Sequence, residues 1–314
     1  MAEVWTMGEM IVEIMRPETG LGLAKPGPFR GPYPSGAPAI FIDTVARLGH
    51  SGGIIGGVGE DDFGKCLLGR LVSDGVDCSK VMRSGDGATG VAFVTYFDDG
   101  SRRFIYHIGN TPAAEAKAPQ ETDLEGVKFF HVMGCSLMAN EAFAAEIVRT
   151  MHSAKNLGAK ISFDPNIRQE LLRNASVQMI VGEVYANTNV FMPGIDELLL
   201  LTGASTIEDA VETCFANADM EYIVLKRGSK GCTVYTRAAV KDFGVYSVNV
   251  MDPTGAGDSF DGAFICGLLE DLPLEESLRL ATAAASLNTA AFGPMEGDIS
   301  PDTVANLIRD GIVE

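Results

Sequence analysis

From residue 127 to residue 228 the chain keeps one rhythm: a short apolar run, then a longer stretch of helical period. VKFFHVMG (127–134) reads as a strand, AFAAEIVRTMHSAKNLG (142–158) as a helix ended by Gly158, and AKISFDPN (159–166) as a strand. NVFMPG (189–194) is a further strand with a helix following from Asp196, and EYIVLKRG (221–228) is another strand. Strands joined through helices pair in parallel, and a parallel sheet is covered on both faces. The expected fold is therefore α/β: a large, doubly wound, mostly parallel sheet with helices on both faces.

Ligands of such sheets bind beyond the carboxyl ends of the strands. Asp164-Pro165-Asn166, Met192-Pro193-Gly194 and Lys226-Arg227-Gly228 all fall there, so they are candidate walls of a site. The N-terminal third differs. GLGLAKPGPFRGPYPSG (20–36) reads as loop, and GVAFVTYFDDGSRRFIYHIG (90–109) as a hairpin around Asp99-Gly100, either an edge extension or a lid. With 314 residues and 46% hydrophobic content, the chain can bury the core of one large domain carrying a small lid.

The net charge is −18, which disfavours nucleic acid and anionic membranes as partners. A phosphate ligand would then need local backbone N–H groups, a few Lys or Arg side chains, or a metal. The six Cys are scattered without a CxxC, which fits reduced thiols in a cytoplasmic protein. No apolar run approaches the roughly 20 residues of a membrane span. The start lacks a basic segment and a cleavage site, so a signal peptide is not expected.

The chemistry concentrates in VNVMDPTGAGDSFDGAFICGLLEDL (248–272). A β-rich run is expected to end at Met251, and Gly255-Ala256-Gly257 to form a turn. A helix then starts near Ala256, with Phe260, Phe264 and Leu268 burying one face. A Gly-rich turn opening a helix is an anion site, because free N–H groups and the helix dipole favour negative charge. Asp258 lies in the first turn. It can accept the proton of an attacking hydroxyl while those N–H groups hold phosphoryl oxygens, or it can simply cap the helix.

DPTGAGDSFDGAF closely resembles the C-terminal signature of the ribokinase-like (PfkB) carbohydrate kinase family. Three further segments match in order and spacing: ARLGHSGGIIGGVGEDDFGKCLLGRLVSDGVD (46–77), FDPNIRQEL (163–171) and LKRGSKG (225–231). The resemblance spans nearly the whole chain. It implies a single kinase domain over 1–314, with lid strands at roughly 10–35 and 88–110 inserted in it. It implies γ-phosphoryl transfer from ATP to a sugar hydroxyl, with Mg2+ and a monovalent cation such as K+ as cofactors, and a homodimer formed through the lid.

By the same resemblance Asp258 is the base, and Gly255, Ala256 and Gly257 are the anion hole. Gly228, Ser229 and Gly231 would lie along the nucleotide, with Thr254 and Thr282 nearby. Lys226 and Arg227 face either its phosphates or solvent. Asp252 would contact the sugar or organise the loop that holds a monovalent cation. Glu13 stands where many members place a substrate-binding Asp, and Gly36 lies in the sugar-side glycine run. Arg168 is a candidate sugar contact or part of a helix-capping turn. Glu197 would position Mg2+ through its waters.

Three positions depart from the family pattern. Gly194 replaces the Asn of the metal motif, and Ile40 replaces an Asn that touches the sugar. Ile108 falls where kinases of 2-keto-3-deoxygluconate place an Arg for the carboxylate, so a bidentate pair would be missing. Arg102, Arg103 and Arg168 could stand in. The changes gather on the sugar side, which points to a neutral ketose or pentose. The alternatives are 2-keto-3-deoxygluconate, or a non-catalytic sugar or nucleotide binder on the same fold.

Two phosphate-loop look-alikes are decoys. Gly59-Glu60-Asp61-Asp62-Phe63-Gly64-Lys65-Cys66 ends in Cys and carries three acids where phosphates would lie. The run from Gly57 has Asp62 in place of its third Gly. Both read more simply as a strand-to-helix turn. His107 and His131 sit in β-rich runs and read as core or edge residues.

Overall fold

The structure is a computed structural model that describes residues 2–98, 101–167 and 175–313. Its strands are β1 (Val4–Met7), β2 (Ile11–Met15), β3 (Arg30–Ser35), β4 (Gly52–Gly59), β5 (Asp77–Ser84), β6 (Gly90–Tyr96), β7 (Arg102–His107), β8 (Phe129–Met133), β9 (Lys160–Asp164), β10 (Val190–Phe191), β11 (Tyr222–Lys226), β12 (Cys232–Tyr235) and β13 (Val240–Phe243). Its α-helices are α1 (Ala37–Arg47), α2 (Asp62–Ser73), α3 (Gly134–Leu137), α4 (Glu141–Asn156), α5 (Ala175–Ala186), α6 (Ile195–Thr202), α7 (Ile207–Phe215), α8 (Ala256–Leu269), α9 (Leu274–Thr289) and α10 (Pro301–Asp310).

The large sheet runs β13-β12-β11-β10-β9-β8-β1-β4-β5. From β5 to β11 every pair is parallel, and only β12 and β13 are added antiparallel. The strands alternate with period two between two cores. Val4, Phe129, Val190 and Val224 join the core under α1, α8 and α9. Trp5, Phe130, Phe191, Ile223 and Leu225 join the core under α4, α6 and α7. The chain leaves β1 towards β4 and β5 and later returns on its other side through β8. The reversal puts a crevice at the carboxyl ends of β1 and β8.

A second sheet, β3-β2-β6-β7, crosses that end. The expected hairpin is β6 with β7, paired antiparallel from Val91–His107 to Tyr96–Arg102. Its expected turn, Asp99-Gly100, lies outside the described residues. Residues 30–35 are not the loop that their Gly and Pro suggest but the edge strand β3, where Pro is tolerated, and it lies with β2 in the 10–35 stretch where the resemblance implies lid strands.

Two further expectations change. Residues 248–251 form no strand: Val250 and Met251 are exposed, and this extended segment is tied to α9 by the Met251 N–H donating to Thr289 O at 2.7 Å. Helix α8 buries not one face but its whole circumference from Ser259 to Gly267. It is clasped between α1 and α9, so its apolar residues show little one-sidedness. The look-alike at 59–66 is the turn from β4 into α2. Asp61 caps it, accepting from Gly64 N at 2.8 Å, and Lys65 pairs outward with Asp62. His131 is buried and stacked on Phe41 at 3.9 Å, while His107 is exposed on the lid.

Candidate active site

Gly255 is the N-cap of α8 and takes φ 80°, a left-handed conformation that needs glycine. A Cβ there would also stand 2.4 Å from Pro294 O. The first-turn N–H groups of α8 therefore open towards the crevice, with Asp258 in that turn. Asp258 lines the crevice floor. Desolvation, and then the nearby Asp164 carboxylate, push its carboxyl up to about 8 against the pull of Lys226.

Beneath it lies a buried ion triad. Lys226 Nζ donates to Asp164 Oδ2 at 2.7 Å and to Asp261 Oδ2 at 3.0 Å. Burial works against the ammonium, but the two carboxylates outweigh it and hold Lys226 well above its ordinary range. Burial drives Asp261 upward despite the lysine. The lysine's hydrogen bonds are thus spent on the floor of the crevice.

The loop before the helix is fixed from several sides. Asp252 is buried; its Oδ1 accepts from Thr254 N at 3.0 Å and from Tyr96 OH at 2.9 Å. Its Oδ2 accepts from Gly293 N at 3.1 Å. Asn288 Nδ2 donates to Thr254 O at 2.8 Å.

Two chambers meet at this loop. The larger, about 500 Å³, is walled by strand exits and the lid: Glu9, Glu13, Tyr106, Cys135, Asn166 and Asp258 among them. The other, about 410 Å³, is mostly apolar and lies between Gly228–Cys232, Val250 and the α9 residues Thr282, Ala285 and Ser286. Arg102, Lys226, Gly228, Pro253 and Gly257 line both.

Residues 1–301 match the pfkB family of carbohydrate kinases. The chain belongs to that family. Fructokinase-2 of Solanum lycopersicum is 30% identical over 318 residues, spanning 98% of this chain and 96% of that protein. A ribokinase-like protein of Escherichia coli, solved with ATP and Mg2+, superposes with a TM-score of 0.93 at 38% identity, covering 98% of this chain and 99% of that one. A Vibrio cholerae fructokinase holding fructose, ADP and potassium shares the fold at a TM-score of 0.81 and 23% identity, over 98% of each chain. The chain is thus a carbohydrate kinase, a phosphotransferase acting on a sugar hydroxyl.

In this kinase Gly255, Ala256, Gly257 and Asp258 stand at the junction of the chambers. Gly228, Ser229, Gly231 and Thr282 line the apolar chamber. Thr282 Oγ1 is buried there without a hydrogen-bond partner, a polar atom suited to a ligand. Glu13 and Gly36 line the larger chamber, with Ser35 Oγ donating to Glu13 Oε1 at 2.7 Å. Ile40 and Gly194 line it too. Arg168 lies outside the described residues.

Of its two expected roles Asp252 shows the loop-organising one, while Lys226 and Arg227 sit differently from their expected places. Asp252 lies behind the wall, because its carboxylate is spent on the loop and on Tyr96. Lys226 faces inward to Asp164 and Asp261. Arg227 turns to Asp242 at 3.0 Å. Glu197 lines the crevice, but it accepts from Gly194 N and Ile167 N, both at 2.7 Å, so it also caps α6. Sequence reasoning missed Glu9, Asp164 as an ion-pair partner, Asp261, Tyr96 and Asn288. The alternation of Arg102, Phe104 and Tyr106 on β7 was a readable sign of the lid face, since all three line the chamber.

Proposed function

We propose that this kinase phosphorylates a neutral ketose, of which fructose is the leading case, with Asp258 as the base. The observation that carries the reading is the junction: a helix N-terminus and a raised carboxyl lie between a polar and an apolar chamber. The apolar chamber suits adenine, and Gly228, Ser229, Gly231 and Thr282 flank the nucleotide, whereas Thr254, expected beside it, lines the larger chamber with its hydroxyl bound to Tyr96 and Arg102. The polar chamber takes the sugar against Glu13, Gly36 and Asn166, with Arg168 as a further contact.

Asp258 accepts the proton of the attacking hydroxyl, and the N–H groups of Gly255, Ala256 and Gly257 hold the transferring phosphoryl. A carboxyl with raised affinity for protons is a stronger base than an ordinary Asp. The Lys226 triad keeps the floor rigid, and Asp252 keeps the anion loop in register.

The donors fit Mg2+ carried on the nucleotide. Asp164 and Glu197 both border the larger chamber, oxygen ligands of the kind that hold a phosphate-bound Mg2+ directly or through its waters. Glu197 lies where it would orient those waters, and the ion would neutralise phosphate charge. A monovalent cation beside the Asp252–Thr254 loop belongs to the same reading, and turnover in KCl against tetramethylammonium chloride tests it.

A ketose fits better than an acid sugar. Glu9 and Glu13 both border the sugar chamber, and Arg102, which also lines it, is engaged with Thr254. The fructokinase relatives point the same way. The outer lid face exposes Phe29 and Ile105, where a second copy would pack to give a dimer, which sedimentation would reveal. Measuring ADP release with ketohexoses, pentoses and 2-keto-3-deoxygluconate tests the substrate. Preference for the acid would overturn the ketose, and no turnover with retained ATP binding would leave a binder.

A further inference from the structure

Tyr96 and Arg102 face each other across the lid hairpin and converge on one atom of the catalytic loop. Tyr96 OH lies 3.0 Å from Thr254 Oγ1, and Arg102 Nη1 lies 3.2 Å from it. Tyr96 OH also reaches Asp252 Oδ1 at 2.9 Å. Valence fixes the direction of this chain. A guanidinium only donates and a carboxylate only accepts, so Arg102 donates to Thr254, Thr254 donates to Tyr96, and Tyr96 donates to Asp252. Burial and then Asp252 push the phenol further up, which keeps it a donor.

A second contact reaches the same carboxylate from its other side. Asp252 Oδ2 accepts from Gly293 N, and the neighbouring Phe292 is held edge-on by Tyr33 of β3 at 5.9 Å, with Tyr96 tilted against it at 6.5 Å. Both oxygens of Asp252 are therefore tied to the lid, one directly and one through the Phe292-Gly293 turn. Thr254 immediately precedes Gly255, the first residue of the anion hole.

We propose that Tyr96, with Arg102, is a positioning residue that makes the geometry of the anion hole depend on the seated lid. This rests on the kinase reading above.

The test is a double-mutant cycle read by steady-state kinetics. Tyr96→Phe is expected to lower kcat about 10- to 100-fold, the scale of a misplacement near 1 Å, with both KM values within about threefold. Thr254→Val should lower kcat similarly, and Thr254→Ser, which keeps the hydroxyl, should restore it. The double variant Tyr96→Phe/Thr254→Val should be no worse than Thr254→Val, because one unit has been broken twice. A general loosening of the lid would instead raise the sugar KM and leave Thr254→Ser as impaired as Thr254→Val. Wild-type kcat in Tyr96→Phe, or multiplying losses in the double variant, overturns the proposal. Should Thr254→Val not fold, Tyr96→Phe and its kcat against KM still decide. Absence of wild-type turnover with every sugar would sink the kinase reading instead of the positioning role of Tyr96.

Discussion

Asp258 and Lys226 show how burial assigns tasks to single charged side chains. Because Lys226 is held between Asp164 and Asp261, Lys226→Met should destabilise the fold by about 3–5 kcal/mol in urea unfolding, as expected when one partner of a buried pair is removed. A nucleotide ligand facing solvent would instead raise the ATP KM and leave stability nearly unchanged. Asp258 makes a prediction of opposite sign. Its carboxyl is raised in the folded state to about 8 from an ordinary value of 3.8, so the folded protein keeps this proton longer than the unfolded chain. That contribution to stability is fully present below the unfolded value and is lost as pH rises through the folded one. Asp258→Asn should therefore raise Tm relative to wild type at pH 8, and the advantage should shrink towards pH 4. Equal shifts at both pH values would count against the raised carboxyl.

At the scale of elements, α6 and α8 matter most. Glu197 holds the N–H groups of Gly194 and Ile167, so Glu197→Ala leaves two donors short and should cost about 1–3 kcal/mol by urea unfolding. A stability loss without a change in Mg2+ dependence would assign Glu197 to capping alone. The strand and helix rhythm of residues 127–228 could be read because each parallel strand is a continuous apolar run and each helix shows its period. The segment 248–251 and helix α8 misled for related reasons. Val248 and Val250 have strand-like side chains but no partner strand, and α8 is enclosed on all sides, so Phe260, Phe264 and Leu268 mark only part of what it buries. β3 was hidden from composition by its Gly and Pro, which an edge strand tolerates, and only the family resemblance placed lid strands in that stretch.

Across the whole molecule, the main sheet supplies strand exits, the lid supplies the roof, and the N-terminus of α8 lies between them, where the proposed anion hole would form. The family motif made Gly255–Asp258 legible from sequence. The surroundings of that motif were not, because they are assembled over long separations: Tyr96 meets Asp252 156 residues away, and Lys226 meets Asp164 62 residues away. No local pattern encodes such pairings. Their consequence is that Asp252, behind the wall, and Lys226, in the floor shared by both chambers, hold the site together through partners far away in sequence.

The central claim is that Asp258 takes the proton of the attacking sugar hydroxyl. Rapid-quench single turnover of Asp258→Asn with saturating ATP, Mg2+ and the preferred sugar tests it most directly. The account predicts a loss of about 10²–10⁴-fold in the phosphoryl-transfer rate, with ATP affinity little changed. A rate near that of the wild type would contradict it.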